Sequence, residues 1–197
     1  NIIKNGNIKR LIEIKQEHSF ATLYGRTTFL MGMVPLEHEY KIMGMAPYGN
    51  PKRARIIADK ILKFFEWNKD KPFEWTKNKS LPPTYLWGPM LEKIFRFNRF
   101  DDISSALQLF AEDMTIRWIR NCINYTKINK LVLSGGLFMN VKLNKKILEL
   151  PEVKGIFIVP SCSDESNSIG AAYKGAINYG IKPQCLTPIK DIYLGPF

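Results

Sequence analysis

The residues able to do chemistry lie in four short stretches of the 197-residue chain. The first is Leu131-Val132-Leu133-Ser134-Gly135-Gly136-Leu137-Phe138-Met139-Asn140. An apolar run that reads as a buried strand ends at two glycines, and a helix follows. Glycines at such a turn let backbone N–H groups approach an anion. Asn140, one helical turn after Gly136, could aim its amide at the same ligand. A tight turn with a capping asparagine is the plainer alternative. The turn is neither a P-loop nor a G-x-G-x-x-G motif. The second stretch, Pro160 to Ala172, places Asp164 after another apolar strand and just before a helix. In an open α/β sheet ligands sit at the carboxyl ends of the strands, and a carboxylate there could hold a hard cation beside phosphates. A helix N-cap is the alternative. The third stretch, His38 to Gly49, concentrates Glu39, Lys41 and a Gly/Pro turn. Glu39 could bond ribose hydroxyls and Lys41 could meet an anion, or both could ride on a solvated helix. The fourth mixes Lys69, Lys71, Lys77 and Lys79 with Trp67, Phe73 and Trp75, a set that binds nucleic acid when the rings are free to stack and is otherwise a solvated loop.

The elements that must position these residues follow from periodicity and turn signals. Ile2 to Lys4 and Lys9 to Ile14 read as strands joined by an Asn5-Gly6-Asn7 hairpin turn. Ser19 caps a predicted helix over 20–31, and residues 36–50 mix a helix-like stretch with a turn. Lys52 to Trp67 has helical spacing of Ile56, Ile57, Ile61, Phe64 and Phe65. Residues 68–90 read as an irregular excursion with one short strand near Phe73 to Trp75. The strongest helix spans 102–125, with Asp102 as N-cap and an apolar stripe through Ile103, Leu107, Phe110, Met114, Trp118 and Cys122. Lys130 to Leu133 is a strand, 140–150 a helix, Ile156 to Val159 a second strand and Ser168 to Tyr179 a helix rich in small residues. Strand, turn, helix, strand, turn, helix predicts an α/β unit with a parallel strand pair.

Bulk composition narrows the function classes. The apolar fraction is 45% and the charged fraction 24%, ordinary for a globular chain and wrong for a disordered or collagen-like one. The net charge of +11 attracts anions, from nucleotides to nucleic acid, without choosing among them. The three cysteines, Cys122, Cys162 and Cys185, form no C-x-x-C pair, which argues against a zinc or disulfide framework and favours a reducing cytoplasm. No apolar run approaches the roughly 18–20 residues that span a bilayer. The only histidines are His18 and His38, in no H-x-x-x-H or triad spacing. The chain lacks a starting Met and reads as a fragment of something longer.

Taken together and in order, His18-Ser19-Phe20, E-Y-K-I-M-G-M-A-P-Y-G at 39–49, S-G-G-L-F-M-N at 134–140, Asp164 with I-G-A-A at 169–172, and Y-L-G-P at 193–196 resemble the O-carbamoyltransferase family that includes NodU and the antibiotic carbamoyltransferases. The resemblance is to the second half of the family's N-terminal domain, which is similar to the tRNA threonylcarbamoyladenosine enzyme TsaD. It implies an actin-like ATPase fold with a ribonuclease-H-like lobe, a mixed sheet flanked by helices, over residues 1–197. It implies a full-length enzyme that moves a carbamoyl group to a hydroxyl of a small-molecule acceptor. The donor is carbamoyl-adenylate, made from carbamoyl phosphate and ATP in a separate YrdC-like domain. Carried over by motif, Gly135, Gly136 and Asn140 would grip the nucleotide, Glu39 and Lys41 would face its ribose side, and Asp164 would ligate a divalent metal, often iron. The family's H-x-x-x-H pair belongs to the first half of the domain and is absent here, as is the YrdC-like domain. The piece alone is therefore expected to bind metal weakly and not to complete the reaction. A tRNA-modifying relative and an actin-like-fold sugar kinase are the competing readings; membrane and nucleic-acid partners are disfavoured.

Overall fold

A computed structural model describes residues 1–4 and 7–186. The expected Asn5-Gly6 turn and the Tyr193-Leu194-Gly195-Pro196 signal lie outside the described residues. The chain opens with β1 (Ile2–Lys4) paired antiparallel to β2 (Asn7–Lys9), so the second strand is earlier and shorter than expected. Then come α1 (Thr22–Leu30), α2 (Glu39–Met45) and α3 (Pro51–Leu62). Ser19 does not cap α1, whose first turn carries no side-chain cap. Asn50 does cap α3: its Oδ1 accepts from Lys52 N and Arg53 N at 3.1 and 3.2 Å, with Pro51 at the first helical position.

The predicted continuation of α3 to Trp67 does not occur. The chain turns at Lys63-Phe64, and β3 (Phe65–Trp67) pairs antiparallel with β4 (Trp75–Lys77). Aromatic residues on this hairpin and its flank decide the matter. Phe65, Trp75 and Trp87 are buried in one core, to which a straight helix could not deliver them, and Phe73 is buried with its ring against Tyr125. The 68–90 stretch thus carries a strand, a 3-10 turn at Thr84–Leu86 and the start of α4 (Gly88–Phe95). Burial of Phe73 and Trp75 also removes the ring faces that a nucleic-acid platform would need, and Arg117 covers Trp67 at 4.7 Å.

The long helix α5 (Phe100–Thr126) is the spine. Asp102 is not its N-cap. It sits inside the first turn, 1% exposed, and reaches across to α3, accepting from Asn50 N at 2.7 Å and from Arg53 Nε at 2.6 Å. One apolar cluster packs α1, α3, α4 and the first half of α5 around Trp87, Phe110 and Leu107. A second surrounds the far half of α5 and gathers Ile119, Leu133, Phe138, Leu143 and Ile147.

The second cluster belongs to the expected α/β unit. β5 (Lys130–Leu133) leads through a 3-10 turn at Gly136–Met139 into α6 (Val141–Leu148). β6 (Gly155–Ile158) then pairs parallel to β5, and α7 (Ser166–Asn178) follows. The fold is α/β, but the described strands form three separate two-stranded sheets, two antiparallel and one parallel, where one mixed sheet was expected. No described helix is long and apolar enough to cross a membrane.

Candidate functional site

The site is built where β5 and β6 end. Gly135 has φ +105° and ψ 155°, a conformation closed to residues with a side chain, so the turn after β5 depends on glycine there. Gly135 N donates to Cys162 O at 2.7 Å, and the Cys162 thiol faces Gly135 O at 3.4 Å. Ser134 Oγ bonds Ser166 Oγ at 2.7 Å, and Ser166 Oγ donates on to Ser163 O at 2.8 Å. The turns after the two strands are thereby stapled together. The first amides of the 3-10 turn, those of Gly136 and Leu137, take no backbone or capping partner among the described residues. A Cβ at Gly136 would meet nothing within 4 Å, so the space beside that residue is open. Two amides without a partner beside a cross-linked turn can take an anionic oxygen.

Asp164 lies in the stapled partner turn. It is exposed, and its backbone oxygen accepts from Asn167 N at 3.0 Å as the chain enters α7. The structure thus brings Gly135, Gly136 and Asp164 to adjacent turns. Glu39 and Lys41 lie elsewhere, on α2, and no hydrogen bond, ion pair or ring contact joins them to that cluster among the described residues. Glu39 Oε1 accepts from Leu36 N at 2.8 Å and holds a loop in which Leu36 has φ 69°. The Lys41 ammonium lies 5.8 Å from the Tyr40 ring. Within the 39–49 motif Ile42 and Ala46 are buried and Gly49 is pressed against α5, where a Cβ would come 2.5 Å from Asp101 O, while Tyr48 is exposed.

Asn140 ends the glycine turn and caps α6, its Oδ1 accepting from Leu143 N at 3.0 Å. Its amide is buried against Tyr24 and Gln108, with Nδ2 to Gln108 Oε1 at 2.8 Å and to the Tyr24 hydroxyl at 3.1 Å. Burial of the Tyr24 phenol pushes its pKa up, against the opposing bond from Asn140 and with the Glu112 carboxylate adding to the rise. Sequence reasoning passed over Gln108 and Glu112. The signal was there: two polar residues four apart inside the apolar stripe of α5. His18 is structural. It accepts Trp75 Nε1 on its carbonyl at 3.0 Å and Lys77 N on Nδ1 at 3.4 Å, tying β4 to the start of the helical half.

With this geometry in hand, the profile described as carbamoyltransferase N-terminus matches residues 2–173. The chain belongs to that carbamoyltransferase family. Nodulation protein NolO of Bradyrhizobium diazoefficiens is 27% identical over 190 residues, covering 96% of this chain and 34% of its own length. Nodulation protein NolNO of Sinorhizobium fredii is 27% identical over 190 residues, 96% of this chain and 27% of its own length. An uncharacterised protein of Synechocystis is 28% identical over 172 residues, 81% of this chain and 28% of its own. The chain therefore spans about a third or less of the curated relatives it matches. The expected divalent metal fits less well, because no group of three or more His, Cys, Asp or Glu side chains is gathered to hold an ion among the described residues.

Proposed function

We propose that this chain is the nucleotide-binding part of an O-carbamoyltransferase. The full-length protein moves a carbamoyl group from carbamoyl-adenylate, made from carbamoyl phosphate and ATP, to a hydroxyl of an acceptor. The observation that carries the reading is the Gly135-Gly136 turn at the carboxyl end of a parallel strand pair, with Gly135 at φ +105° and the amides of Gly136 and Leu137 without a partner among the described residues. Membership of a carbamoyltransferase family supplies the reaction class. The actin-like ATPase fold with a ribonuclease-H-like lobe belongs to the same proposal, supported by the α/β unit and its parallel pair.

In making the adenylate, water cleaves carbamoyl phosphate to carbamate and inorganic phosphate, and a carbamate oxygen then bonds the α-phosphorus of ATP as pyrophosphate leaves. In the transfer, the acceptor oxygen bonds the carbamoyl carbon and AMP leaves. The part assigned to this chain is to seat the adenylate's phosphate on the amides of Gly136 and Leu137 and to offer charge stabilisation there. Glu39 and Lys41 are assigned the ribose side by the motif resemblance alone. The single carboxylate of Asp164 contributes one ligand to any metal, the others coming from the family's H-x-x-x-H half. The partner segments in this proposal are that half and the YrdC-like domain.

The test uses the full-length protein. Incubation with ATP and carbamoyl phosphate should release pyrophosphate only when carbamoyl phosphate is present. Asp164→Ala should leave that release intact while abolishing transfer. Absence of pyrophosphate release with magnesium, manganese and iron each supplied in turn would sink the proposal.

A further inference from the structure

A seam of polar side chains runs between the two apolar clusters and ends on the glycine turn. Tyr24 on α1 donates its hydroxyl hydrogen to Gln108 Oε1 on α5. Asn140 Nδ2 gives one hydrogen to the Tyr24 oxygen at 3.1 Å and the other to Gln108 Oε1 at 2.8 Å. Gln108 Nε2 gives one hydrogen to Asn140 Oδ1 at 3.2 Å and the other to Glu112 Oε1 at 2.8 Å. The Lys146 ammonium on α6 donates to Glu112 Oε2. Gln108, Glu112 and Asn140 are 5%, 4% and 9% exposed. Every hydrogen on the two amides and the phenol has an acceptor.

The seam has one orientation. A carboxylate only accepts, so Glu112 forces Gln108 to turn its NH2 towards it; the flipped amide would set a carbonyl against a buried carboxylate. At the other end Leu143 N–H only donates, so Asn140 must turn its carbonyl towards α6. The two amides then pair head to tail. The constraint passes from the charge on α5 to the residue that closes the 3-10 turn.

We propose that Glu112 and Gln108 are positioning residues for the Gly135-Gly136 turn. They lock the Asn140 amide, and so hold Gly136–Met139 in the shape that presents its amides to ligand. The Asn140 side chain has no hydrogen left for a ligand and acts on it only through the turn. The ligand part of the proposal rests on the reading that this turn seats a nucleotide phosphate.

Hydrogen–deuterium exchange of the full-length protein tests both parts, read at residues 134–140 with and without ATP. In Glu112→Gln the Gln108 amide loses its charged acceptor, which weakens the hold on the paired amides, and basal exchange of 134–140 should rise. The ATP concentration giving half-protection of that segment should increase about tenfold or more. Tyr24→Phe, which removes one donor and keeps the ring, should move both readouts in the same direction by less. Asp102→Asn disturbs another buried carboxylate on the same helix, outside the seam, and should leave both readouts unchanged at a comparable loss of melting temperature. If basal exchange of 134–140 rises in Glu112→Gln but ATP never protects the segment, even in the unaltered protein, positioning stands and the nucleotide reading falls. If basal exchange in Glu112→Gln matches the unaltered protein, or Asp102→Asn raises it equally, the positioning proposal is overturned.

Discussion

The helical half around α5 and the α/β half after it bury their apolar residues to different degrees. In the first, Trp87, Phe110, Leu107, Leu91 and Ile61 are fully enclosed, and rings pack on rings: Phe65 lies 5.3 Å from Trp87 and 5.6 Å from Phe110. In the second, β5 and β6 bury one face against α5 and α6, while Val132 and Phe157, directly paired in register, are 61% and 55% exposed. No residue of α7 is buried. The difference teaches where stability and function separate. The helical half is held by contacts that close on themselves. The half that carries the glycine turn packs on the far end of α5 through the second apolar cluster and joins the helical half through the polar seam, while the staples Gly135 to Cys162 and Ser134 to Ser166 hold its own two turns together.

The contrast is most open to breakage at Trp87. Truncation to Ala empties the centre of the first cluster and removes the Nε1 bond to Pro82 O, 2.8 Å long. It should cost about 3–5 kcal/mol, measured by urea unfolding. A loss below 1 kcal/mol would show that the helical half is not the stability centre.

Next comes Gly49→Ala, whose Cβ would lie 2.5 Å from Asp101 O and 2.6 Å from Ser105 Cβ. The cost should be about 1–3 kcal/mol, since backbone and helix must move apart. An unchanged melting temperature would mean that the 46–48 turn is loosely seated on α5.

Asp102 sharpens the comparison by pH. The Arg53 guanidinium bonds its carboxylate and lowers its pKa, and the Asn50 N–H adds to this, against desolvation. A carboxylate lowered in the fold contributes stability that is complete above its unfolded pKa of about 3.9 and is lost as pH falls through the folded value. Asp102→Asn should therefore destabilise by about 1–3 kcal/mol at neutral pH. The gap in melting temperature from the unaltered protein should close under acid. A gap independent of pH would assign the loss to packing instead of charge.

The smallest effect is expected on the open sheet face. Phe157→Ser removes a half-exposed ring and should shift stability by no more than about 0.5 kcal/mol. A large loss in the full-length protein would reveal that this face is covered there.

Much of the fold was legible because its signals are local. The 3.6-residue apolar stripe marked α5 within two residues of its start, and the apolar run marked Lys130–Leu133 with the bounds observed. The Gly135-Gly136 turn declared itself by composition, and the parallel pair by strand–turn–helix order. The illegible parts are those where one pattern fits two structures. Phe64 and Phe65 continue a helical spacing, yet the chain turns there because Trp75 and Trp87 compete for the same core from the far side of a hairpin. Asp102 is a good cap by type, yet Arg53 and the Asn50 amide claim it from another helix. Asn140 is a good ligand by type, yet Gln108 and Tyr24, 32 and 116 residues away, use up its hydrogens.

The sequence by itself determined the helix and strand periods, the turn that only glycine can make, the basic charge and, through its motifs, the family. These depend on residues within a few positions of one another, where spacing translates directly into geometry. Only the tertiary structure decided which way each polar side chain faces. A buried carboxylate or amide is satisfied by whichever partner the packing of distant elements brings within hydrogen-bond reach, and that distance is written nowhere along the chain.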